Sequence, residues 1–271
     1  MSKIVLSVVV YNSDKTKLLD LLNSFLLVES KFTLIIIDNS PTDVLQSLFN
    51  AYEVEYFHNP TNPGFGAAHN IAITKSINIG ADYHFIINPD VYFESNVIDS
   101  MVHVMKSDSS IGMMMPQILN LNGTIQTLPK LLPTPIDLLL RKVKIPFINY
   151  SKFINKYELR NVPNDIVYNT PILSGCFTLL NLHAIKKIGL YDDNYFMYFE
   201  DWDLSRRMHK KYKTLYNPNF SVVHGYESGA NKNFKLFKIY IKSAIHYFNK
   251  WGWFFDKERK KINTVTLTQF Q

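Results

Sequence analysis

Apolar positions in the first 121 residues alternate between two rhythms. "KIVLSVVVYN" is a continuous β-branched run closed by polar residues, as expected of a strand covered on both faces. "SDKTKLLDLLNSFLL" follows with Leu18, Leu21, Leu22 and Phe25 at helical spacing, and Ser13 or Asp14 as the N-cap. "FTLIIIDNS" repeats the strand pattern, "TDVLQSLFNAY" the helical one, and "VEYFHNP" predicts a short third strand. "GFGAAHNIAITKSINIG" reads as a loop opening into a helix that stops at Gly80. "YHFIINPDV", the helix "NVIDSMVHVMKS" and the strand "IGMMMPQI" complete the series. Strands this apolar, alternating with helices, predict an α/β fold with a mostly parallel, Rossmann-like sheet flanked by helices.

The rhythm breaks after Leu121. Six prolines between 128 and 171 (Pro129, Pro133, Pro135, Pro146, Pro163 and Pro171) predict a long, partly mobile segment with short helices around 136–142 and 150–159. "TPILSGCFTLLNLHAIKKIGLYD" predicts a buried strand or turn, then a helix ending at Gly189; "YKTLYNPNFSVVHG" predicts a further strand. From Asn233 the pattern is helical. The organisation expected is a main domain over 1–229, divided at 121/122 into two halves, and a C-terminal helical extension over 230–271.

Composition narrows the class. Hydrophobic residues make up 46% of 271, enough for a sizeable core. The single cysteine, Cys176, rules out an internal disulfide framework and suits a reducing compartment. The N-terminus lacks the pattern of a signal peptide, and no stretch reaches the ~18 apolar residues of a membrane helix. A cytoplasmic chain is the expectation. The net charge is +6, concentrated late: nine Lys/Arg against Asp256 and Glu258 between Lys232 and Lys261, interleaved with nine aromatics. That mixture suggests an anionic surface. No nucleic-acid motif accompanies it; a membrane surface and an ordinary amphipathic helix packed on the sheet with solvated lysines both stay open.

In a parallel α/β sheet, ligands bind beyond the carboxyl ends of the strands. Tyr11 and Asn12, Asp38 to Ser40, Asn59, Asn62, Gly64 and Gly66, and Asn88 to Asp90 all fall there. "NPGFGAAHN" carries G-x-G, but His69 occupies the next glycine position of a dinucleotide fingerprint, and the motif follows the third strand. No P-loop is present, nor the glycine-rich basic loop of a sugar nucleotidyltransferase. Asp90 reads either as a turn-forming aspartate or as an oxygen ligand for Mg²⁺ or Mn²⁺. His224, closing "SVVHG", reads as structural or as a metal ligand. In "NYFMYFEDWDLSRRMHKKY", Asp201 or Asp203 is a plausible helix cap, and Asp203 can pair with Arg207 one turn on. That leaves one acid unaccounted for, in aromatic surroundings that would raise its pKa and suit a proton acceptor.

Together, "FHNPTNPGFGAAHN", "FIINPDVYF", "LSGCFTLL" and "YFMYFEDWDLSRR" resemble the family 2 glycosyltransferases of GT-A fold. More narrowly, they resemble bacterial rhamnosyltransferases of O-antigen and related surface-polysaccharide synthesis. The resemblance spans roughly Lys3 to Gly229. It implies that Tyr11 and Asn12 lie against the nucleotide and that Asp38 accepts the N3–H of uracil or thymine. It puts Gly64, Gly66 and Asn70 near the ribose and diphosphate, with Asn62 on the same rim. Asp90 takes the last position of a D-x-D motif whose first position is Asn88, leaving the cation to Asp90 and His224. Ser174 and Gly175 line the acceptor side. Asp201 is the catalytic base, supported by Glu200 and Asp203. The implied reaction is inverting transfer of a sugar, preferentially L-rhamnose from dTDP-rhamnose, to a lipid-linked acceptor at the inner membrane face. UDP-hexose donors and a non-catalytic nucleotide-sugar-binding protein are the alternatives.

Overall fold

The computed structural model describes residues 2–142, 150–225 and 234–271, Lys142 by its backbone alone. The expected boundary at 229/230, Pro146 and the start of the basic tail at Lys232 lie outside the described residues. The elements run β1 (Ile4–Val10), α1 (Lys15–Phe25), β2 (Phe32–Asp38), α2 (Gln46–Phe49), β3 (Val54–His58), α3 (Phe65–Asn78), β4 (Tyr83–Ile87), β5 (Val91–Tyr92), α4 (Val97–Ser107) and β6 (Ile111–Leu119). Then come α5 (Pro135–Lys142), α6 (Tyr150–Tyr157), β7 (Tyr168–Asn169), β8 (Phe177–Asn181), α7 (Leu182–Ile188), α8 (Glu200–His209), β9 (Lys213–His224), α9 (Phe234–Trp251) and α10 (Lys257–Thr268).

The strands form one sheet in the order β3-β2-β1-β4-β8-β6-β9-β5, with β7 on β9. The pairs β1–β2, β2–β3 and β1–β4 are parallel, as the alternating pattern predicts. Past β4 the sheet is mixed: β8 runs antiparallel to both β4 and β6, while β6 and β9 are parallel. Helices cover both faces, so β1 is buried along its whole length.

Local chemistry sets several boundaries. Asp14 caps α1, its Oδ1 accepting the N–H groups of Thr16 and Lys17 at 2.8 and 3.2 Å. The second helix covers only four residues, shorter than its apolar spacing predicts. In the 128–171 segment the described residues are packed rather than loose, with Leu131, Leu132, Leu138, Ile154, Tyr157 and Leu159 buried. The C-terminal tail forms two helices, broken at Gly252, whose φ of 96° suits glycine. Asp256 caps the second of them, its Oδ1 accepting from Arg259 N at 2.9 Å. No helix among the described residues is long and apolar enough to cross a membrane.

Candidate active site

The C-terminal edge of the sheet gathers two acidic centres. The first is built by strand pairing. β5 runs antiparallel to β9 with Val91 opposite His224, which brings the end of the "INPD" turn against the end of β9. His224 Nε2 lies 3.3 Å from Asp90 Oδ1 and 3.2 Å from Asn88 Nδ2. On its other side, Nδ1 faces Gln126 Oε1 at 3.3 Å, and Gln126 Nε2 donates to His224 O at 2.9 Å. Burial alone would depress the imidazole, but the hydrogen bond to Asp90, the neighbouring Cys176 and the Asp90 charge raise it to about 10. Burial likewise works to raise Asp90, and His224 outweighs it, so its carboxyl lies below the ordinary value.

These residues fit a hard divalent cation. With Nδ1–H donated to Gln126, the second-layer arrangement that orients a histidine ligand, Nε2 would exchange the proton it gives Asp90 for a cation. No cluster of three or more His, Cys, Asp or Glu ligands occurs among the described residues. One carboxylate and one imidazole suit an ion that keeps water and takes phosphate oxygens as its remaining ligands.

The second centre is the start of α8. The cap is Phe199, not Asp201 or Asp203 as the acid spacing suggests, and it makes no side-chain capping bond. Tyr198 and Phe199 both adopt left-handed backbone, with φ of 69° and 68°. Two bulky residues in that region store strain of roughly 1–3 kcal/mol each, held by surrounding packing. The packing is aromatic: the Phe199 ring lies 4.6 Å from Trp202, 5.2 Å from Tyr240 and 5.6 Å from Tyr247. Much of the aromatic run before the acids is therefore directed at α9.

The three acids take different environments. Glu200 is buried with Oε2 unpartnered among the described residues. Burial and the Asp201 charge hold its carboxyl well above the usual range. Asp201 is partly buried; Gly175 N donates to Oδ2 at 3.1 Å and Trp202 N to Oδ1 at 2.9 Å. Burial raises its carboxyl to about 6 against those bonds and the attraction of Lys130. Asp203 is 0% exposed and fully engaged. Oδ2 accepts from Arg207 Nε at 2.8 Å, while Oδ1 accepts from Trp251 Nε1 at 2.8 Å and pairs with Lys250 Nζ at 2.9 Å. It joins α8 to α9.

A short segment before β8 links the two centres. Cys176 O accepts from Asn88 N at 2.8 Å, and the N–H of its neighbour Gly175 holds Asp201. A Cβ on Gly175 would lie 3.2 Å from the Phe65 ring and 3.5 Å from Asp201 Cβ. Ser174 braces the segment: its carbonyl accepts from Thr178 Oγ1 at 2.6 Å.

The glycine motif has a scaffolding role. Gly64, with φ of 100°, caps α3; a Cβ there would lie 2.1 Å from Phe196 O, which accepts from Phe65 N at 3.0 Å. A Cβ on Gly66 would lie 3.0 Å from Tyr191 Cβ and 3.4 Å from Glu200 Cβ. Asn70 uses its whole amide on the same segment, donating to Tyr191 O at 2.9 Å and Asp193 Oδ1 at 2.6 Å and accepting from Tyr191 N at 3.0 Å. Together they fasten α3 against the chain leading into α8. On the remaining rim, Tyr11 and Asn12 are exposed, and Asn12 N donates to Ser40 Oγ at 2.8 Å. Asn62 turns the chain with φ of 44°. Asp38 is 0% exposed, its oxygens accepting from Ser40 N at 2.8 Å and Tyr56 Oη at 2.6 Å.

Two residues near the centres escape sequence reasoning. Gln126 gives no local signal. Lys130, in "TLPKLLPTP", is a lone charge among Leu and Pro, a pattern that marks a buried lysine. Its Nζ donates to Thr127 O at 3.1 Å and Leu128 O at 3.0 Å, and burial lowers it to about 8.

This sheet, half parallel and half mixed with acids at its C-terminal edge, is the GT-A glycosyltransferase fold. Residues 6–189 match the model of glycosyl transferase family 2, and the chain belongs to that family. It is 26% identical over 213 residues to the N-acetylglucosaminyl-diphospho-decaprenol L-rhamnosyltransferase of Mycobacterium tuberculosis, covering 73% of this chain and 68% of that one. It is 24% identical to rhamnosyltransferase WbbL of Escherichia coli K12, covering 85% and 86%. Among solved structures it resembles GalNAc-T7 with UDP, GalNAc and Mn²⁺ (TM-score 0.63, 16% identity), covering 92% of this chain and half of that one. It also resembles Staphylococcus aureus TarS 1-349 (TM-score 0.59, 14% identity), covering 98% and 70%. The rhamnosyltransferase-like resemblance and the enzyme class read from the motifs both hold.

Proposed function

We propose that the chain is an inverting hexosyltransferase that moves L-rhamnose from dTDP-rhamnose to a hydroxyl of a lipid-linked glycan in bacterial surface-polysaccharide (O-antigen or lipopolysaccharide) synthesis. One observation carries the reading: consecutive residues, Gly175 and Cys176, hold Asp201 and the Asn88–Asp90 turn. The base and the diphosphate end of the donor would thus share one rigid support.

Asp201 removes the proton from the acceptor hydroxyl. The acceptor oxygen forms a bond to the anomeric carbon as the bond to the diphosphate oxygen breaks on the opposite face. One displacement inverts the centre, and no second nucleophile is required. Asp90 and His224 would hold a divalent cation, which when bound would supply charge neutralisation to the departing diphosphate. Burial and the Asp201 charge hold the Glu200 carboxyl well above its usual range, which disfavours a second negative charge beside Asp201. Asp203 positions α8 from behind.

Residues 1–121 form the nucleotide half and 122–229 the acceptor half. Tyr11 and Asn12 face the nucleotide; Gly64, Gly66 and Asn70 shape its site from below by fixing α3. Contact between Asp38 and the base requires a lone pair beyond those given to Ser40 and Tyr56. The extension rests on the inner face of the cytoplasmic membrane through its basic, aromatic surface.

The test is a donor screen on the full chain. dTDP-rhamnose, UDP-glucose, UDP-galactose and UDP-N-acetylglucosamine are each supplied with a lipid-linked acceptor, with and without Mn²⁺, and product mass is read. Rhamnose transfer that needs the cation is expected. A UDP-hexose product would replace the donor assignment, and no transfer from any donor would overturn the enzyme reading for these acceptors.

A further inference from the structure

Behind Asp201 lies a cationic cluster that the transfer chemistry above does not use. Glu158 is buried and takes two arginines at once: Arg141 Nε on Oε1 at 3.1 Å, and Arg160 Nε and Nη2 on Oε2 at 2.9 and 2.6 Å. Both Nη groups of Arg141 and Nη1 of Arg160 have no hydrogen-bond partner among the described residues. Lys130 lies within electrostatic range of Arg141, Glu158, Arg160 and Asp201, so it connects the cluster to the base. Three cations stand against Glu158 and Asp137, the latter one turn before Arg141 on α5, an excess of one positive charge before Asp201 is counted. Guanidinium N–H groups fixed in orientation by a buried carboxylate suit phosphate oxygens.

The surroundings select the kind of phosphate. A cleft of about 240 Å³, lined by Gln126, Thr127, Pro129, Arg160, Tyr168 and Tyr216, runs beside the cluster. Its Gln126 wall is the residue that orients His224. On the other side, α5 exposes Ile136 and Leu139, five and two positions before Arg141 and so on the helix face turned away from it. Leu138 packs in the same cluster as Ala244 and Phe248, so α5 sits on α9. The outer face of α9 exposes Phe234, Phe237, Ile241 and Ile245. An anion fork bordered by exposed aliphatic and aromatic side chains fits an amphipathic phosphate. A nucleotide offers no chain to cover that apolar surface.

We propose that Arg141 and Arg160, braced by Glu158, bind the diphosphate of an isoprenyl diphosphate, the carrier end of the acceptor, with its chain directed over α9. This rests on the reading of the acceptor as lipid-linked, and its test needs no sugar transfer. Equilibrium binding of farnesyl diphosphate to the full chain is measured by titration calorimetry, alongside farnesol, inorganic pyrophosphate, UDP, dTDP and phosphatidylglycerol vesicles. Farnesyl diphosphate is expected to bind at least tenfold more tightly than farnesol. Arg141→Gln/Arg160→Gln is expected to lose at least tenfold for farnesyl diphosphate and for pyrophosphate, with its circular dichroism unchanged. If the double variant does not fold, Arg160→Gln alone, which keeps the Arg141–Glu158 pair, is expected to lose about threefold or more.

Unchanged affinity in the folded variant overturns the proposal. So does displacement of farnesyl diphosphate by UDP or dTDP, which would make the cluster part of the donor site. Loss of vesicle binding with farnesyl diphosphate unaffected would assign it to phospholipid headgroups and overturn it too. Donor turnover without any farnesyl diphosphate binding defeats this inference alone. Binding without turnover leaves it standing and defeats the transferase reading.

Discussion

The backbone N–H of Gly175 donates to Oδ2 of Asp201 over 3.1 Å, from a position with no room for a bulky side chain. The bond fixes one carboxylate oxygen and favours the charged form. Asp201→Asn keeps the volume but removes the proton acceptor. It is expected to fold normally and lose about 10²–10⁴ in kcat, the usual contribution of a positioned base. Circular dichroism and product formation from the accepted donor check both parts. Near-normal turnover would dismiss Asp201 as the base.

The raised Asp201 carboxyl has consequences for pH. Activity needs the ionised form, so kcat/KM is expected to fall as pH drops through about 6. For stability the sign is opposite. The folded pKa of about 6 exceeds the ordinary aspartate value of 3.8, so between these values the native state binds more protons than the unfolded chain, and stability declines as pH rises. The penalty is full above pH 7, roughly 1–3 kcal/mol. Asp201→Asn removes it. The variant also sets its amide nitrogen against the Gly175 or Trp202 N–H, a cost independent of pH, so thermal melts should show it gaining on wild type as pH rises from 4 to 7.5. An equal gap at both pH values would contradict the assignment.

Asp203 is expected to behave differently. Its carboxylate holds Arg207, Lys250 and the Trp251 indole with no exposure to water. Removing one partner of a buried charge network costs about 3–5 kcal/mol. Asp203→Asn should lower the melting temperature strongly, and turnover per folded molecule should fall far less than for Asp201→Asn. If kcat collapses while the melt is unchanged, Asp203 belongs to the chemistry.

Gly64 carries a backbone prediction. Alanine there meets both a φ of 100° and the Phe196 carbonyl oxygen at 2.1 Å. No flexible side chain is available to yield. Gly64→Ala should displace the 191–199 segment and reduce kcat through Asp201, whereas Gly123→Ala, also at positive φ but with open space around its Cβ, should leave kcat unchanged. Equal kcat in the two variants would show that the clamp has no bearing on the site.

Much of this was legible in the chain. Continuous apolar strands ending in Asn or Asp gave the parallel half and its rim, because burial on both faces leaves a local pattern. The mixed half was harder: β5 is two residues long, and β8 reverses direction by contacts with β4 and β6 that no local period encodes. Asp90 and His224 were readable as strand-end residues, but Gln126 acts only through a fold that brings it 98 positions along the chain to His224. The glycine motif looked like a nucleotide loop by composition. Its geometry depends on the backbone of Phe196 and the side chain of Tyr191, which spacing within the motif cannot report. The aromatic run before Asp201 suggested a wall around the sugar, yet Phe199 faces a helix that starts at Phe234.

That helix bears on how membrane contact should be tested. Deleting the extension would remove Lys250, Trp251 and Asp256, leaving Asp203 with Arg207 alone and taking the buried carboxylate partner of the 1%-exposed Arg206. Lost vesicle binding would then report unfolding. Surface substitutions avoid this. Phe254 and Phe255 are 67% and 99% exposed, beside Trp253 and the lysine-bearing outer face of α9. Two exposed phenylalanines each gain about 1.5–3 kcal/mol on burial in an apolar phase, and each nearby lysine about 1 kcal/mol at an anionic surface. Phe254→Ser/Phe255→Ser should therefore reduce co-sedimentation with phosphatidylglycerol vesicles at least tenfold while leaving the melting temperature within a few degrees of wild type. Raising salt from 0.05 to about 0.5 M should weaken wild-type binding, because the lysine contribution is screened within a Debye length. Co-sedimentation equal to wild type, at both salt concentrations, would show that the exposed aromatics do not seat the chain on a membrane.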